Sequence, residues 1–247
     1  MKAMILAAGL GTRLRPLTND RPKALVEING STLLEITLKR LHSFGIRDII
    51  INVHHFADLI VDYLKIHNNF GLHLEISREP ILLDTGGGLK KAGWFFCKDA
   101  SDDEPFVLHN VDVISTIDLQ RLAMAHRASR ALATLAVQER KSSRYLLFDQ
   151  NLQLCGRQKE GDKSPEMACA DSRGLKPLAF SGIHIISPRI FSMMQQDGVF
   201  SIIDTYLELV REGQVINGER VDGDRWRDLG KLEQVHEAAE DLKRTSS

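Results

Sequence analysis

The chain has 247 residues, with 32 Lys or Arg against 33 Asp or Glu and a formal net charge of −1. That balance provides no global basic field for nucleic acid, so an anionic ligand has to be held locally. No run approaches the roughly eighteen apolar residues of a membrane span, and the N-terminus opens on a strand pattern rather than on a charged segment followed by an apolar stretch and a cleavage site. The expectation is a cytoplasmic protein, with no membrane and no nucleic acid among its partners. Cys97, Cys155 and Cys169 are odd in number and lack CxxC spacing, which indicates neither a disulfide framework nor a thiolate zinc site. The length suits a single α/β domain with at most a small lobe, and leaves no room for a second catalytic domain.

In chain order, Met4-Ile5-Leu6-Ala7-Ala8 reads as a buried strand, and Ala24 to Ile28 as a short extended segment. Leu33, Leu34, Ile36, Leu38, Leu41 and Phe44 recur at helical spacing up to Gly45. Asp48 to Val53 reads as a strand buried on both faces. A helix through Ile60 and Leu64, a strand around Leu72 to Ile76, a helix after Gly88 and a strand Phe106-Val107-Leu108 follow. This βα repetition over about 1–137 predicts a Rossmann-like, doubly wound α/β fold with a mostly parallel mixed sheet, whose ligands sit at the strand carboxyl ends. From Arg140 to Lys176, within the part 138–230, the pattern changes to shorter strand-like pieces such as Tyr145 to Phe148 and Leu152 to Leu154, with a polar stretch, Gln158 to Pro165, as in a hairpin with a mobile loop. Ala179 to Ile186 returns to a buried strand. Helices are expected near Pro188 to Gln196, Ile202 to Arg211, and Lys231 to Arg244, the last docking back on a single domain that spans 1–247.

The first strand breaks into Gly9-Leu10-Gly11-Thr12-Arg13-Leu14-Arg15-Pro16-Leu17-Thr18, with Pro22-Lys23 following. Glycines after a strand let backbone N–H groups approach an anion, and Arg13 and Lys23 add positive charge. A dinucleotide fingerprint would need a glycine where Leu14 stands, and no Gly-Lys-Ser/Thr triplet follows, so neither a Rossmann dehydrogenase nor a Walker enzyme is supported. The alternative for an isolated GxG is a plain turn beside solvated arginines. Asp112, in His109-Asn110-Val111-Asp112, stands just past a buried strand, as a loop cap or a metal ligand. Asp228, in Trp226-Arg227-Asp228-Leu229-Gly230, is a possible partner. Two carboxylates plus substrate phosphates are a donor set that suits Mg²⁺.

The whole string from Leu6 to Thr18, with Pro22-Lys23 and Gly30, resembles the signature of the sugar-1-phosphate nucleotidyltransferases. The resemblance implies a glycosyltransferase-A-like nucleotidyltransferase fold with a small sugar-binding β subregion. It implies that Leu6, Ala8, Gly9, Gly11, Thr12, Arg13 and Lys23 hold a nucleoside triphosphate, with Arg13 on the departing pyrophosphate and Lys23 beside the attacked phosphorus. Asp112 and Asp228 become the Mg²⁺ ligands, although Val111 stands where the family has glycine and Leu229 and Lys231 flank Gly230. In the glycine cluster Asp84-Thr85-Gly86-Gly87-Gly88, where the strand hands over to a helix, backbone groups of Thr85, Gly86 and Gly87 are expected to read the base. Asn52-Val53-His54-His55 also matches a family segment and is expected to shape the sheet edge.

The triple glycine, the short length and Phe180-Ser181-Gly182-Ile183 look most like the branch of the N-acetylmuramate-1-phosphate uridylyltransferases, with mannose- and heptose-1-phosphate guanylyltransferases as near relatives. The expected substrates are UTP or GTP and a sugar 1-phosphate, and the chain is expected to act as a monomer or homodimer. Arg140, Ser143, Arg144, Tyr145, Ser181, Gly182 and Asp204 are candidates for the sugar phosphate. Trp94 and Trp226 are read as packing. Two other classes remain open: a glycosyltransferase, which typically presents Asp-x-Asp where Asn110 stands here, and a nucleotide-sensing subunit without catalysis.

Overall fold

The computed structural model describes residues 1–97, 103–170, 173–235 and 237. The strands are β1 (Ala3–Leu6), β2 (Glu27–Ile28), β3 (Ser31–Thr32), β4 (Asp48–Val53), β5 (His73–Arg78), β6 (Phe106–Asn110), β7 (Val113–Ser115), β8 (Ala133–Gln138), β9 (Arg144–Phe148), β10 (Leu154–Lys159), β11 (Glu166–Met167), β12 (Lys176–Ile186), β13 (Ile216–Arg220) and β14 (Trp226–Asp228). The helices are α1 (Leu33–Ser43), α2 (Ala57–Ile66), α3 (Asp84–Lys91), α4 (Leu119–Ser129) and α5 (Ile202–Arg211).

The main sheet is ten-stranded, running β11-β10-β9-β12-β6-β1-β4-β5, with β8 on β12 and β13 on β8. Its N-terminal half, β6-β1-β4-β5, is parallel. The other half is built on β12, which runs antiparallel to β6, β8 and β9, while β13 is parallel to β8. The sheet is mixed, with helices on both faces, as the βα pattern implies. Alternation along β4 shows why both faces are apolar: Ile49, Ile51 and Val53 join the core under α1 and α2, whereas Ile50 joins the core containing Leu89 of α3 and Tyr206 and Leu207 of α5. Burying each such Leu or Ile contributes about 1.5–3 kcal/mol.

Local signals explain the element ends. Thr32 caps α1 by accepting from the Glu35 N–H at 3.1 Å, and Gly45, at φ 76°, ends it. The triple glycine lies inside α3 rather than before it. Pro188–Ser192 forms a 3₁₀ turn, not the longer helix expected to Gln196, because proline at its start and a polar Gln195-Gln196-Asp197-Gly198 run leave too short an apolar stretch. Leu152 takes a left-handed turn, at φ 59°, so β10 begins only at Leu154. The expected C-terminal helix over 231–244 falls largely outside the described residues. Among the described residues, no helix is long and apolar enough to cross a membrane.

Candidate active site

β1 delivers the chain to the glycine loop at the carboxyl edge of the parallel strands. The root of that loop is tied down by buried polar groups. The Ala7 N–H donates to Asn52 Oδ1 at 2.7 Å, and Asn52 Nδ2 donates to Glu79 Oε1 at 2.7 Å. Glu79 Oε2 in turn accepts from the Leu83 N–H at 3.0 Å. One relay therefore couples the loop to the start of α3. Gly11, at φ 64°, closes the turn, its carbonyl accepting from Leu14 N–H and Thr18 Oγ1, both at 2.9 Å. A Cβ there would stand 3.0 Å from Thr18 Cγ2 and 3.1 Å from Lys23 Cβ, so glycine lets Lys23 pass directly beneath the loop. The Cβ direction at Gly9 is open, which leaves its backbone accessible.

Lys23 is nearly buried, with 11% of its side chain exposed, and Nζ donates to Asp112 Oδ2 in an ion pair. Asp112 sits in the turn between β6 and β7, anchored by the Val111 N–H on Leu6 O at 3.1 Å. The short antiparallel pair β7–β14 sets Asp228 opposite Val113, and Leu229 N–H donates to Asp112 O at 2.8 Å. Two aspartates distant in sequence thus meet across one small ladder. Burial and the charge of Asp112 push the Asp228 carboxyl above its ordinary range, while Lys23, the Gly230 amide and Arg13 pull it back. A Cβ on Gly230 would lie 2.9 Å from both Arg13 Nη2 and Asp228 Oδ1. Only a residue without a Cβ at 230 lets the Arg13 guanidinium lie beside Asp228.

The glycine loop, Lys23 and Asp112 border a cavity of about 530 Å³, lined by 6–13, Lys23, Asn52, Asp84, Thr85, 110–112 and Gly230 among others, with Asp228 just behind Gly230 rather than in the lining. Among the described residues no group of three or more His, Cys, Asp or Glu is placed to hold a metal. The protein offers two carboxylates whose mutual repulsion a divalent cation would relieve. That donor set fits an ion that takes its remaining oxygens from water and substrate phosphates.

Thr85 lines this cavity, and its Oγ1 accepts from the Ile202 N–H at 3.0 Å. Gly86 and Gly87 do not line it. Their N–H groups donate to Phe200 O at 2.9 and 3.2 Å, and a Cβ would stand 2.4 Å from the Phe200 ring at Gly86 and 2.2 Å from Gly198 O at Gly87. These glycines let α3 lie against 198–202, and on this side the cavity wall is formed by Leu82, Asp84 and Thr85. His54 Nδ1 is 2.8 Å from Glu79 O, at the sheet edge.

The sugar-phosphate candidates divide. Arg140 Nη2 donates to Phe180 O at 2.8 Å, and its guanidinium lies 3.6 Å from the centre of the Trp226 ring. Trp226 Nε1 donates to Ser181 O at 2.7 Å, so the tryptophan read as packing is a platform for Arg140, two residues from Asp228. Ser181 is fully buried, its Oγ donating to Gln138 Oε1 at 3.4 Å. Gly182, at φ 73°, backs the turn between β6 and β7: a Cβ would stand 2.8 Å from Val113 Cγ2 and 2.9 Å from Asn110 Nδ2. Tyr145 borders a second cavity together with Arg140, Ser143 is exposed, and the remaining two are placed elsewhere. Arg144 is exposed at the start of β9, opposite Lys159. Asp204 is held in an ion pair by Arg157, which also binds Glu166, itself paired with Arg211; this network closes the small β region onto α5. Trp94 is 51% exposed rather than packed.

The nucleotidyl transferase family model matches residues 2–245. N-acetylmuramate alpha-1-phosphate uridylyltransferase of Caulobacter vibrioides is 36% identical over 220 residues, covering 86% of each chain. A mannose-1-phosphate guanyltransferase of Yarrowia lipolytica is 36% identical over 147 residues, covering 59% of this chain but only 40% of its own. A UDP-glucose pyrophosphorylase crystallised with UDP-glucose superposes with a TM-score of 0.78 at 17% identity, covering 99% of this chain and 98% of the other, a likeness of fold. The glycine loop, the lysine beneath it and the paired aspartates stand in a chain that belongs to the nucleotidyl transferase family, among the sugar-1-phosphate nucleotidyltransferases.

Proposed function

We propose that this chain joins UTP and N-acetylmuramate 1-phosphate, or a closely related hexose 1-phosphate, into a nucleoside-diphosphate sugar and pyrophosphate, with Mg²⁺ as cofactor. The observation that carries the reading is the ion pair of Lys23 with Asp112 at the wall of the glycine-loop cavity, with Asp228 opposite. A sugar-phosphate oxygen attacks the α-phosphorus and forms a P–O bond as the bond to pyrophosphate breaks in line, so the task is to position and neutralise anions, with no covalent intermediate. Backbone N–H groups from Gly9 to Arg13 hold the triphosphate, and the Arg13 guanidinium takes the charge that leaves with pyrophosphate. Lys23 screens the repulsion between the two phosphates that must meet. Mg²⁺, when held by Asp112 and Asp228, supplies further charge neutralisation at those phosphates. In this reading 1–137 is the nucleotide half, 138–230 carries the acceptor, and the enzyme works in the cytoplasm as a monomer or homodimer.

Uracil and N-acetylmuramate are taken from the Caulobacter relative, which aligns over most of its length. The Yarrowia relative favours a second reading, GTP with mannose 1-phosphate, over a shorter alignment, and heptose 1-phosphate is the related alternative acceptor. Mass spectrometry of the product formed from mixed nucleoside triphosphates and mixed sugar 1-phosphates separates them. UDP-N-acetylmuramate as the main product supports the first reading, and a GDP-sugar replaces it with the second. A chain that binds nucleotide but forms no product with any sugar is a sensor.

A further inference from the structure

A second cavity, of about 620 Å³, opens at the same edge of the sheet as the glycine loop. Its walls are the ends of β8 and β13 and the beginnings of β9 and β12. Because β12 runs antiparallel to β6 and β8, its first residues project past the edge where β6 presents Asn110. Four cations border the space: Arg140, Lys141, Lys176 and Arg220. The acid beside them, Glu139, is paired with Arg220 at 3.0 Å, and Arg220 is also paired with Asp222. The positive charge of Arg140, Lys141 and Lys176 is left in excess, and Arg140 Nε is buried without a hydrogen-bond partner. Pro177 and Leu178 add an apolar wall.

The loop that carries Arg140 and Lys141 is fixed at both ends. Glu139 N–H donates to Asp222 Oδ1 at 2.6 Å, and Ser142 N–H donates to Tyr145 Oη at 2.9 Å. The backbone that carries Arg140 and Lys141 is therefore ordered before a ligand arrives, which lowers the entropy lost on binding. Arg140 also joins the cavity to the reaction centre. It stacks on Trp226, two residues or about 7 Å along β14 from Asp228. The triphosphate belongs to the β1 side of Asp112, and this cavity lies on the β12 side, where the acceptor must approach.

We propose that this cavity is a specificity subsite for a second anionic group on the acceptor, a carboxylate on a short apolar arm of the sugar 1-phosphate, with Lys141 and Lys176 binding the carboxylate and Pro177 and Leu178 its arm. The assignment rests on the acceptor being a sugar 1-phosphate and goes beyond it, because it names the residues that select a carboxylated sugar over its neutral counterpart.

The test pairs N-acetylmuramate 1-phosphate with N-acetylglucosamine 1-phosphate, which differ by a lactyl ether, in the intact chain and in the double variant Lys141→Gln/Lys176→Gln. Two solvated charge contacts are together worth a factor of about five to ten. The KM for the carboxylated sugar therefore rises by about that factor in the double variant, with the KM for the neutral sugar and for nucleotide within twofold of the parent. An equal rise for both sugars, a rise in nucleotide KM alone, or no change overturns the assignment. Calorimetric binding of the two sugar phosphates separates this inference from the reaction. A preference for the carboxylated sugar that disappears in the double variant supports the subsite even if no pyrophosphate is released, and equal binding to the parent overturns it whatever the turnover.

Discussion

Replacing Lys23 by methionine keeps the length and apolar stem of the side chain and deletes its charge. The ammonium sits under the glycine loop, nearly buried and paired with Asp112. Two unit charges about 4 Å apart interact by about 4 kcal/mol at an effective dielectric of about 20. Asp112 cancels part of that field, which leaves about 3 kcal/mol acting on the phosphates, or roughly a hundredfold in rate. If the charge acts where the two phosphates converge, the loss falls on kcat, and the KM for nucleotide changes little. Steady-state kinetics of Lys23→Met with both substrates varied, after circular dichroism has verified folding, measures the split. A kcat within threefold of the parent, or a loss carried wholly by nucleotide KM, refutes the reasoning.

Gly87→Ala should cost about 1–3 kcal/mol and lower Tm by several degrees, because its Cβ would meet the Gly198 carbonyl at 2.2 Å; a Tm unchanged in calorimetry would show that α3 slides freely. Asn52→Leu removes the acceptor for the Ala7 N–H and the donor to Glu79, and leaving those buried groups unpaired costs about 1–3 kcal/mol each. Nucleotide affinity should weaken with stability, whereas full stability in urea titration would count against the relay. Burial, with the charge of His109, pushes His184 down to about 3, and burial, with Arg189 and Arg127, pushes His126 down to about 4. Both are neutral in the fold, while the unfolded chain protonates them near pH 6.5. Stability is therefore full above about pH 6.5 and falls as pH drops toward 4, by about 1.4 kcal/mol per unit for each histidine. A urea midpoint that stays flat between pH 7.5 and 5 contradicts this.

The N-terminal half of the fold was legible because its signals are local. A strand, two glycines, Arg13 and Lys23 all fall within the first 23 residues, and hydrophobic period marks β4 and α1 without tertiary help. Asp112 and Asp228 were readable as residues, but the β7–β14 ladder that joins them involves strands of three residues each, too short for periodicity to reveal. The triple glycine reads as the lead-in to a helix but lies inside α3: its packing partners, Phe200 and Gly198, are far along the chain, and nothing local reveals them. Asp204 and Arg144 looked available because a lone charge in sequence has no partner in view; Arg157 takes the first, and the edge of β9 exposes the second. Gly230 stands two residues from Asp228 in the sequence, yet its role in admitting Arg13 emerges only from the geometry.

Pyrophosphate release with Mg²⁺, from UTP or GTP and a panel of sugar 1-phosphates, in the parent chain and in Asp112→Ala, tests the central claim most directly. The account predicts release that requires one nucleotide together with one sugar phosphate, and that vanishes in Asp112→Ala while the variant remains folded. Release that proceeds without the sugar phosphate, or that survives loss of Asp112, would contradict it.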